Sequence, residues 1–299
     1  MRLEQRRADW MATLALRRRG LSRGWYKFSR NSLSVIGLVV LGLIVLAAIL
    51  APYITPYPKH AKAYTNFRDA GKPPSLEHFF GTDRVGRDIF SRVIFGYRFS
   101  LLIGIVVLSL GVAPGVILGL IAGYHQGTWI ESVIMRITDV FLAVPPLVLA
   151  LAITAMLTPN LTNQMMAIAL VWWPWYSRLV FALASSLRSE YFVREAELTG
   201  ASKVHIMFKE ILPNCLAPVM TKMTLDMGIV ILLAATLSFI GLGVQPPKPG
   251  LGTMVAEGAK RLPGEWWGTI FPALAIVVVI LAFNLVGDGL RDVFSVEEM

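Results

Sequence analysis

Six stretches of about twenty mostly apolar residues alternate with charged loops along this chain, at 32–54, 100–123, 134–157, 164–187, 216–244 and 269–287. A bilayer core about 30 Å thick takes about 20 apolar residues per helix. The pattern therefore predicts an all-α membrane protein with six transmembrane helices. The first run ends at Pro56 and Pro58. It is longer than a signal-peptide core and no clean small-x-small cleavage site follows, so it reads as an uncleaved signal anchor. Between the fourth and fifth runs lies a block of opposite character, YFVREAELTGASKVHIMFKEILP at 191–213. Its pattern predicts a short helix, a corner at Gly200, a second helix capped by Ser202, and a stop at Pro213. A water-compatible block between two spans predicts a docking element, and a docking element needs a partner.

Two other loops are long. The segment 81–104 predicts a Gly- and Asp-containing turn, then an amphipathic helix lying on the surface before the second span. Ile89, Val93, Ile94 and Tyr97 make its apolar face, and Arg87, Asp88 and Arg92 the other. The segment 241–268 holds too many prolines for one helix, and its Trp266 and Trp267 suit a membrane interface.

Charge sets a predicted orientation. Nine Lys/Arg stand within residues 1–30, against Glu4 and Asp9. A basic tail before the first span marks the cytoplasmic side and favours anionic lipid headgroups. This gives a cytoplasmic tail over 1–31, a first helix over 32–54 and an external loop over 55–98. A five-helix domain over 99–289 carries the cytoplasmic segment 188–213, and 290–299 is a cytoplasmic tail. Loop 55–98 holds eight Lys/Arg against four acids, which opposes an external position; the denser N-terminal cluster decides the assignment. Composition agrees with membrane residence. The chain of 299 residues is 55% hydrophobic and 16% charged, where a soluble protein carries about 25% charged residues. Its pI near 9.8 raises nucleic acid as a partner, but the adjoining apolar runs favour a membrane surface instead.

Some chemistries are excluded or unsupported. A single cysteine, Cys215, rules out an intrachain disulfide. His60, His78, His125 and His205 show no metal-ligand spacing. No P-loop motif occurs, so nucleotide is not bound in that way. No acid–base relay repeats along the spans.

Polar residues at membrane depth are costly and mark protein-facing or water-facing positions. Arg136 and Asp139 stand three residues apart, which predicts an ion pair; Lys222 and Asp226 predict another. Trp172, Trp173, Trp175, Tyr176 and Arg178 cluster in the fourth run, and Asn284 and Asp288 share a face in the sixth. Trp172, Trp173, Trp175, Tyr176, Arg178, Asp226 and Asn284 are candidates for a translocation pathway; an interfacial belt and structural pairing are the alternatives. Gly111, Gly115, Gly119 and Gly123 lie on one helix face around Pro114. Such a face lets backbones approach closely; a sliding surface is the second reading.

The segment 191–213 resembles the E-A-A-x-x-x-G-x(9)-I-x-L-P motif of permease subunits in ATP-binding-cassette importers. Arg194, Glu195 and Ala196 occupy the E-A-A places, Gly200 the glycine, and Leu212 and Pro213 the last two, with Glu210 where Ile is written. GTDRVGRDIFSR at 81–92, MRITDVFLAVPPLVLA at 135–150, LSFIGLGVQPPKPGLGTM at 237–254 and FNLVGDGLRD at 283–292 resemble the C-type permeases of the dipeptide, oligopeptide and nickel branch. The resemblance spans about residues 30–292.

It implies the type I importer permease architecture, with both termini cytoplasmic. It implies a second homologous permease, two ATP-binding subunits carrying ATP and Mg, and an external solute-binding protein. It implies no enzyme activity and no cofactor or metal on this chain. Arg194, Glu195, Ala196, Glu197, Leu198, Gly200, Ala201, Val204, Phe208, Leu212 and Pro213 would form the ATPase-coupling site. There Glu195 and Glu197 would meet basic residues, and Leu198, Ala201, Val204 and Phe208 would supply apolar contact. Di- or oligopeptides are the implied solute, with nickel complexes, glutathione and oligosaccharides as alternatives. A channel or secondary transporter working without ATP is the rival class, yet no inverted repeat relates 32–157 to 164–289. A membrane scaffold is a third.

Overall fold

Asn31 opens the first long helix by accepting hydrogen bonds from the Leu33 and Ser34 amides at 3.1 and 3.4 Å. This helix, α1, is Ser32–Ile54. It ends at Thr55, whose extended backbone is what a residue before proline prefers. The structure is a computed structural model that describes residues 24–294. Most of the basic tail predicted over 1–31, and the last five residues of the tail predicted over 290–299, lie outside the described residues.

All regular elements among the described residues are helical. After α1 come two short 3-10 turns and then α2 (Ile89–Tyr124), α3 (Trp129–Leu142), α4 (Pro146–Ala155), α5 (Leu161–Arg188) and α6 (Tyr191–Leu198). The long helix α7 (Lys203–Ile240), the short α8 (Leu251–Ala259) and α9 (Trp267–Phe294) follow. Five of these helices are long and apolar enough to cross a membrane, and a sixth crossing exists if α3 and α4 count as one.

Several predicted elements change. The third run is not one helix: α3 and α4 meet at 84°. Pro145 and Pro146 are the cause, since neither has an amide hydrogen to donate and Pro145 disfavours helix at Val144. The surface helix before the second span does not exist as a separate element. Asp88 caps a single 36-residue helix by accepting from the Ser91 amide at 2.7 Å. Its charged face is not solvated either, because Arg87, Asp88 and Arg92 are buried. Pro213 does not stop a helix. Its ring would clash with the carbonyl four residues back, that of Lys209, and Lys209 lies in a wider π turn over Ile206–Ile211. Thus α7 runs on to Gly241, which ends it with a left-handed φ of +96°. The sixth span reaches from Trp267 to Phe294, beyond the predicted 269–287.

The most extensive helix contact is between α2 and α5, and the glycine face forms it. A Cβ at Gly111 would lie 3.3 Å from Trp172 Cβ, one at Gly115 2.8 Å from Tyr176 Cβ, and one at Gly123 2.6 Å from Ala184 Cβ. These spacings are the close-packing reading of the four glycines. The N-terminal helix α1 packs on α9 and α2 through Ser34, Gly37, Ile44, Ala48 and Ala51. Its other sides expose Leu33, Ile36, Val39, Leu43, Leu46 and Ile49, an apolar surface suited to lipid.

Candidate functional site

The segment after α5 forms a rigid corner. Glu190 stands at the N-cap of α6, and Val193 is fully buried against the bundle. Thr199 and Gly200 close α6: the Gly200 amide donates to the Glu197 carbonyl at 3.0 Å and the Ala201 amide to the Ala196 carbonyl at 3.0 Å. This paired pattern needs a left-handed residue after the helix, and Gly200 has φ +82°. The Ser202 side chain then accepts from the His205 amide at 3.3 Å and starts α7. Ile206, Met207 and Ile211 are buried, so the first turns of α7 are fixed to the core.

The predicted coupling residues divide by exposure. Arg194, Glu195, Glu197, Leu198, Gly200, Val204, Phe208 and Pro213 are exposed, whereas Ala196, Ala201 and Leu212 pack partly inward. Leu198 and Val204 are the most open apolar groups, at 88% and 62% exposure. An exposed apolar corner flanked by carboxylates is a surface that a second protein can cover. Glu197 also reaches the Tyr124 hydroxyl at 3.5 Å, and the Arg188 guanidinium stands 5.2 Å above the Tyr124 ring. The corner is thereby held to the ends of α2 and α5.

The pathway candidates separate into three groups. Asp226 of α7 is 3% exposed and collects three donors. Trp172 Nε1 and the Tyr176 hydroxyl donate to Oδ2 at 3.0 and 2.8 Å, and Lys222 Nζ to Oδ1 at 3.1 Å. The ammonium also sits 5.7 Å from the Trp175 ring and 5.5 Å from that of Tyr176. The Lys222–Asp226 pair is as predicted, while Trp172 and Tyr176 are buried between helices and do not line open space. Arg178 forms the second group. It pairs with Asp139 of α3, which replaces the predicted Arg136–Asp139 pair. The bend at Pro145 does not prevent this, since α3 still packs beside α5. Trp173 meets Phe141 edge-on at 5.5 Å. Asn284, the third, faces Gly228 of α7, its Oδ1 3.2 Å from where a Cβ there would stand.

Residues that the sequence analysis did not join into one site form a second polar centre, at the N-terminal end of α2. Asp83 accepts from the Arg87 side chain at 2.6 Å and lies 3.7 Å from Arg92 Nε. Arg87 reaches Glu257 of α8 at 3.5 Å, and Arg92 donates to the His60 and Pro247 carbonyls at 3.1 and 3.3 Å. Nearby, His78 Nδ1 contacts Asp88 Oδ1 at 3.0 Å, and His60 Nδ1 accepts from the Asp88 amide at 2.9 Å. Burial lowers the His60 pKa, and His78 and Arg92 act in the same direction against Asp88. The sequence signal was present in GTDRVGRD, but it read as a solvated helix face. Gln164 was also missed: its side chain, fully buried, donates to the Ala234 carbonyl at 2.6 Å and ties α5 to α7.

Comparison with known proteins places this geometry. Residues 115–295 match the family described as binding-protein-dependent transport system inner membrane component, and residues 21–74 match the N-terminal transmembrane domain of oligopeptide transport permease C. A dipeptide transport system permease protein of Alkalihalophilus pseudofirmus is 43% identical over 266 residues, covering 89% of this chain and 86% of that one. The corresponding dipeptide permease of Haemophilus influenzae is 40% identical over 278 residues, covering 91% and 93%. A glutathione transport system permease protein of Escherichia coli is 40% identical over 268 residues, covering 90% and 88%. Among solved structures, an inward-facing methionine ABC transporter matches with a TM-score of 0.56 and 16% identity, over 69% of this chain and 98% of that one. At that identity the likeness is one of fold.

Proposed function

This chain belongs to the family of binding-protein-dependent transport system inner membrane components, and from that premise we propose that it forms half of the translocation pathway of an importer for short peptides. It is a multi-pass inner-membrane permease subunit of an ATP-binding-cassette importer and not an enzyme; ATP hydrolysis belongs to partner subunits. The proposed assembly holds a second, homologous permease, two ATPase subunits that carry ATP and Mg, and an external solute-binding protein, within membrane lipid. Both termini and the corner at Gly200 face the cytoplasm in this reading. Relatives at 40–43% identity named for dipeptides and for glutathione support a peptide solute.

One observation carries the mechanism: the corner at Gly200 leads without a break into a 38-residue helix. A groove on one ATPase grips α6 and the first turns of α7. Closure of the ATPase pair on ATP moves that grip, and a continuous helix carries the movement into the bundle. The bundle then shifts between inward-open and outward-open populations, with no chemistry in this chain. Among the described residues none comes within 4 Å of a Cβ position at Gly200, so a new side chain there points at the partner.

The test is ATP-dependent uptake of a labelled dipeptide by the reconstituted complex with its binding protein. Gly200→Asp places a charge at the corner and is expected to cut uptake at equal membrane abundance. Gly200→Asn, which tolerates the left-handed backbone without charge, retains most of it. Wild-type uptake by the Asp variant, or uptake by the wild-type chain without ATPase subunits, overturns the reading.

A further inference from the structure

The Lys222 ammonium lies where a lipid-facing charge is expensive. Lys222 stands ten residues beyond Leu212 in the 29-residue run Leu212–Ile240, about 15 Å along the axis at 1.5 Å per residue. It lies inside the apolar run 216–244 that is predicted to span the membrane. A charged side chain there faces protein or water. Its side chain is 29% exposed and lines an open groove of about 550 Å³ with Leu179, Leu225, Ile229, Arg291 and Phe294. The lining is mostly apolar, with Thr221, Asp226 and Arg291 as its other polar members.

The carboxylate behind Lys222 is already engaged. Asp226 binds Trp172, Tyr176 and Lys222 together and is buried. An ammonium has three N–H donors, and one of them meets Asp226. The half-exposed Trp175 ring lies beside the ammonium. Asp226 thus fixes the side chain and the groove receives its open side. Buried pairs held only for stability do not need an open side.

We propose that Lys222 is a station for the carboxylate of the transported peptide, with Asp226 as the positioning residue and the apolar groove wall taking the peptide's side chains. This rests on the peptide-importer reading above. A cation over an apolar groove is complementary to a molecule with an anionic end and apolar side chains. A lipid phosphate would satisfy the same cation, and the test separates the two.

The whole complex, with its binding protein, is reconstituted in proteoliposomes. Uptake of labelled dialanine is competed with unlabelled dialanine and with dialanine amide. The binding protein's own preference enters every ratio equally and cancels between variants. A hydrogen-bonded charge contact is worth about tenfold in apparent affinity. The amide-to-acid ratio is expected to fall about tenfold in the charge-neutral pair Lys222→Gln/Asp226→Asn, and to stay near wild type in Lys222→Arg. The Asn carbonyl keeps an acceptor for Trp172 and Tyr176, and co-purification of the ATPases checks assembly. Should the pair not assemble, Lys222→Gln alone gives the same comparison. An unchanged ratio overturns the proposal and leaves Lys222 as a lipid or structural contact. A wild-type complex that moves another solute but no dialanine refutes the peptide reading itself.

Discussion

Replacing Gly115 by alanine adds one methyl group on the close-packed face between α2 and α5, against the Trp173 carbonyl. That methyl would stand 2.8 Å from Tyr176 Cβ and 3.2 Å from the Ser177 amide nitrogen. Comfortable carbon–carbon separation is about 3.5–4.0 Å, so α2 and α5 must part by roughly 1 Å. No side-chain rotation relieves the clash, because the opposing atoms are backbone and Cβ. Overpacking of this kind costs about 1–3 kcal/mol, against a gain of about 1 kcal/mol from replacing a helical glycine. The net expectation is a loss of up to about 2 kcal/mol, with leucine worse than alanine. Gly42, inside α1, is the control, since among the described residues nothing lies within 4 Å of its Cβ position; Gly42→Ala is expected to keep the gain of up to about 1 kcal/mol without the clash. Because Tyr176 holds Asp226, parting the helices also loosens that network. The assay is the fraction of assembled complex surviving a graded heat challenge in detergent, read by size-exclusion chromatography. If Gly115→Ala survives as well as Gly42→Ala, the seam is not close-packed and the reasoning fails.

Three further outcomes are expected. Asp226→Ala strands three donors in a buried site and costs about 3–5 kcal/mol, whereas Asp226→Asn keeps an acceptor for Trp172 and Tyr176 and costs less; the same heat challenge ranks them, and equal losses would contradict the network. Gly200→Val must hold a β-branched residue at φ +82° and strains the corner by about 1–2 kcal/mol, so uptake per assembled complex drops below that of Gly200→Asn. The third concerns pH: His60 has a lowered pKa in the folded state, so its stabilising contribution is complete above the unfolded value near 6.5 and is lost as pH falls below it. Protonation at Nδ1 also removes the acceptor for the Asp88 amide. Hydrogen-exchange protection factors over residues 57–92, with the intrinsic pH dependence divided out, should fall between pH 7 and pH 5. His60→Asn, which offers a non-titrating acceptor, should flatten that change; an unaltered profile would count against His60 as the titrating group.

Much of this protein was legible as sequence because a bilayer constrains a chain locally. Apolar runs of about twenty residues have one stable solution in lipid, a helix that satisfies its own backbone. The corner at 191–202 was equally local, since a left-handed glycine followed by a capping serine needs no distant contact. The Lys222–Asp226 pair was readable for the same reason, being one helical turn apart.

What the sequence could not decide was every relation between segments. Asp139 had a neighbouring partner in Arg136 and took a distant one, Arg178, because helix packing set α3 beside α5. Trp172 and Tyr176 read as pathway candidates or as structural pairing, and the structure buries them as donors to Asp226 from another helix. Arg92 read as solvated and is buried among the His60 and Pro247 carbonyls, 155 residues separating it from the latter. Pro213 read as a stop because the widened turn that accommodates it carries no marker in composition. The sequence by itself determined which segments are helical and apolar, and the corner that joins two of them, through short-range backbone chemistry. Only the tertiary structure decided which polar groups meet, because a buried charge takes whichever partner the packing brings within hydrogen-bond reach.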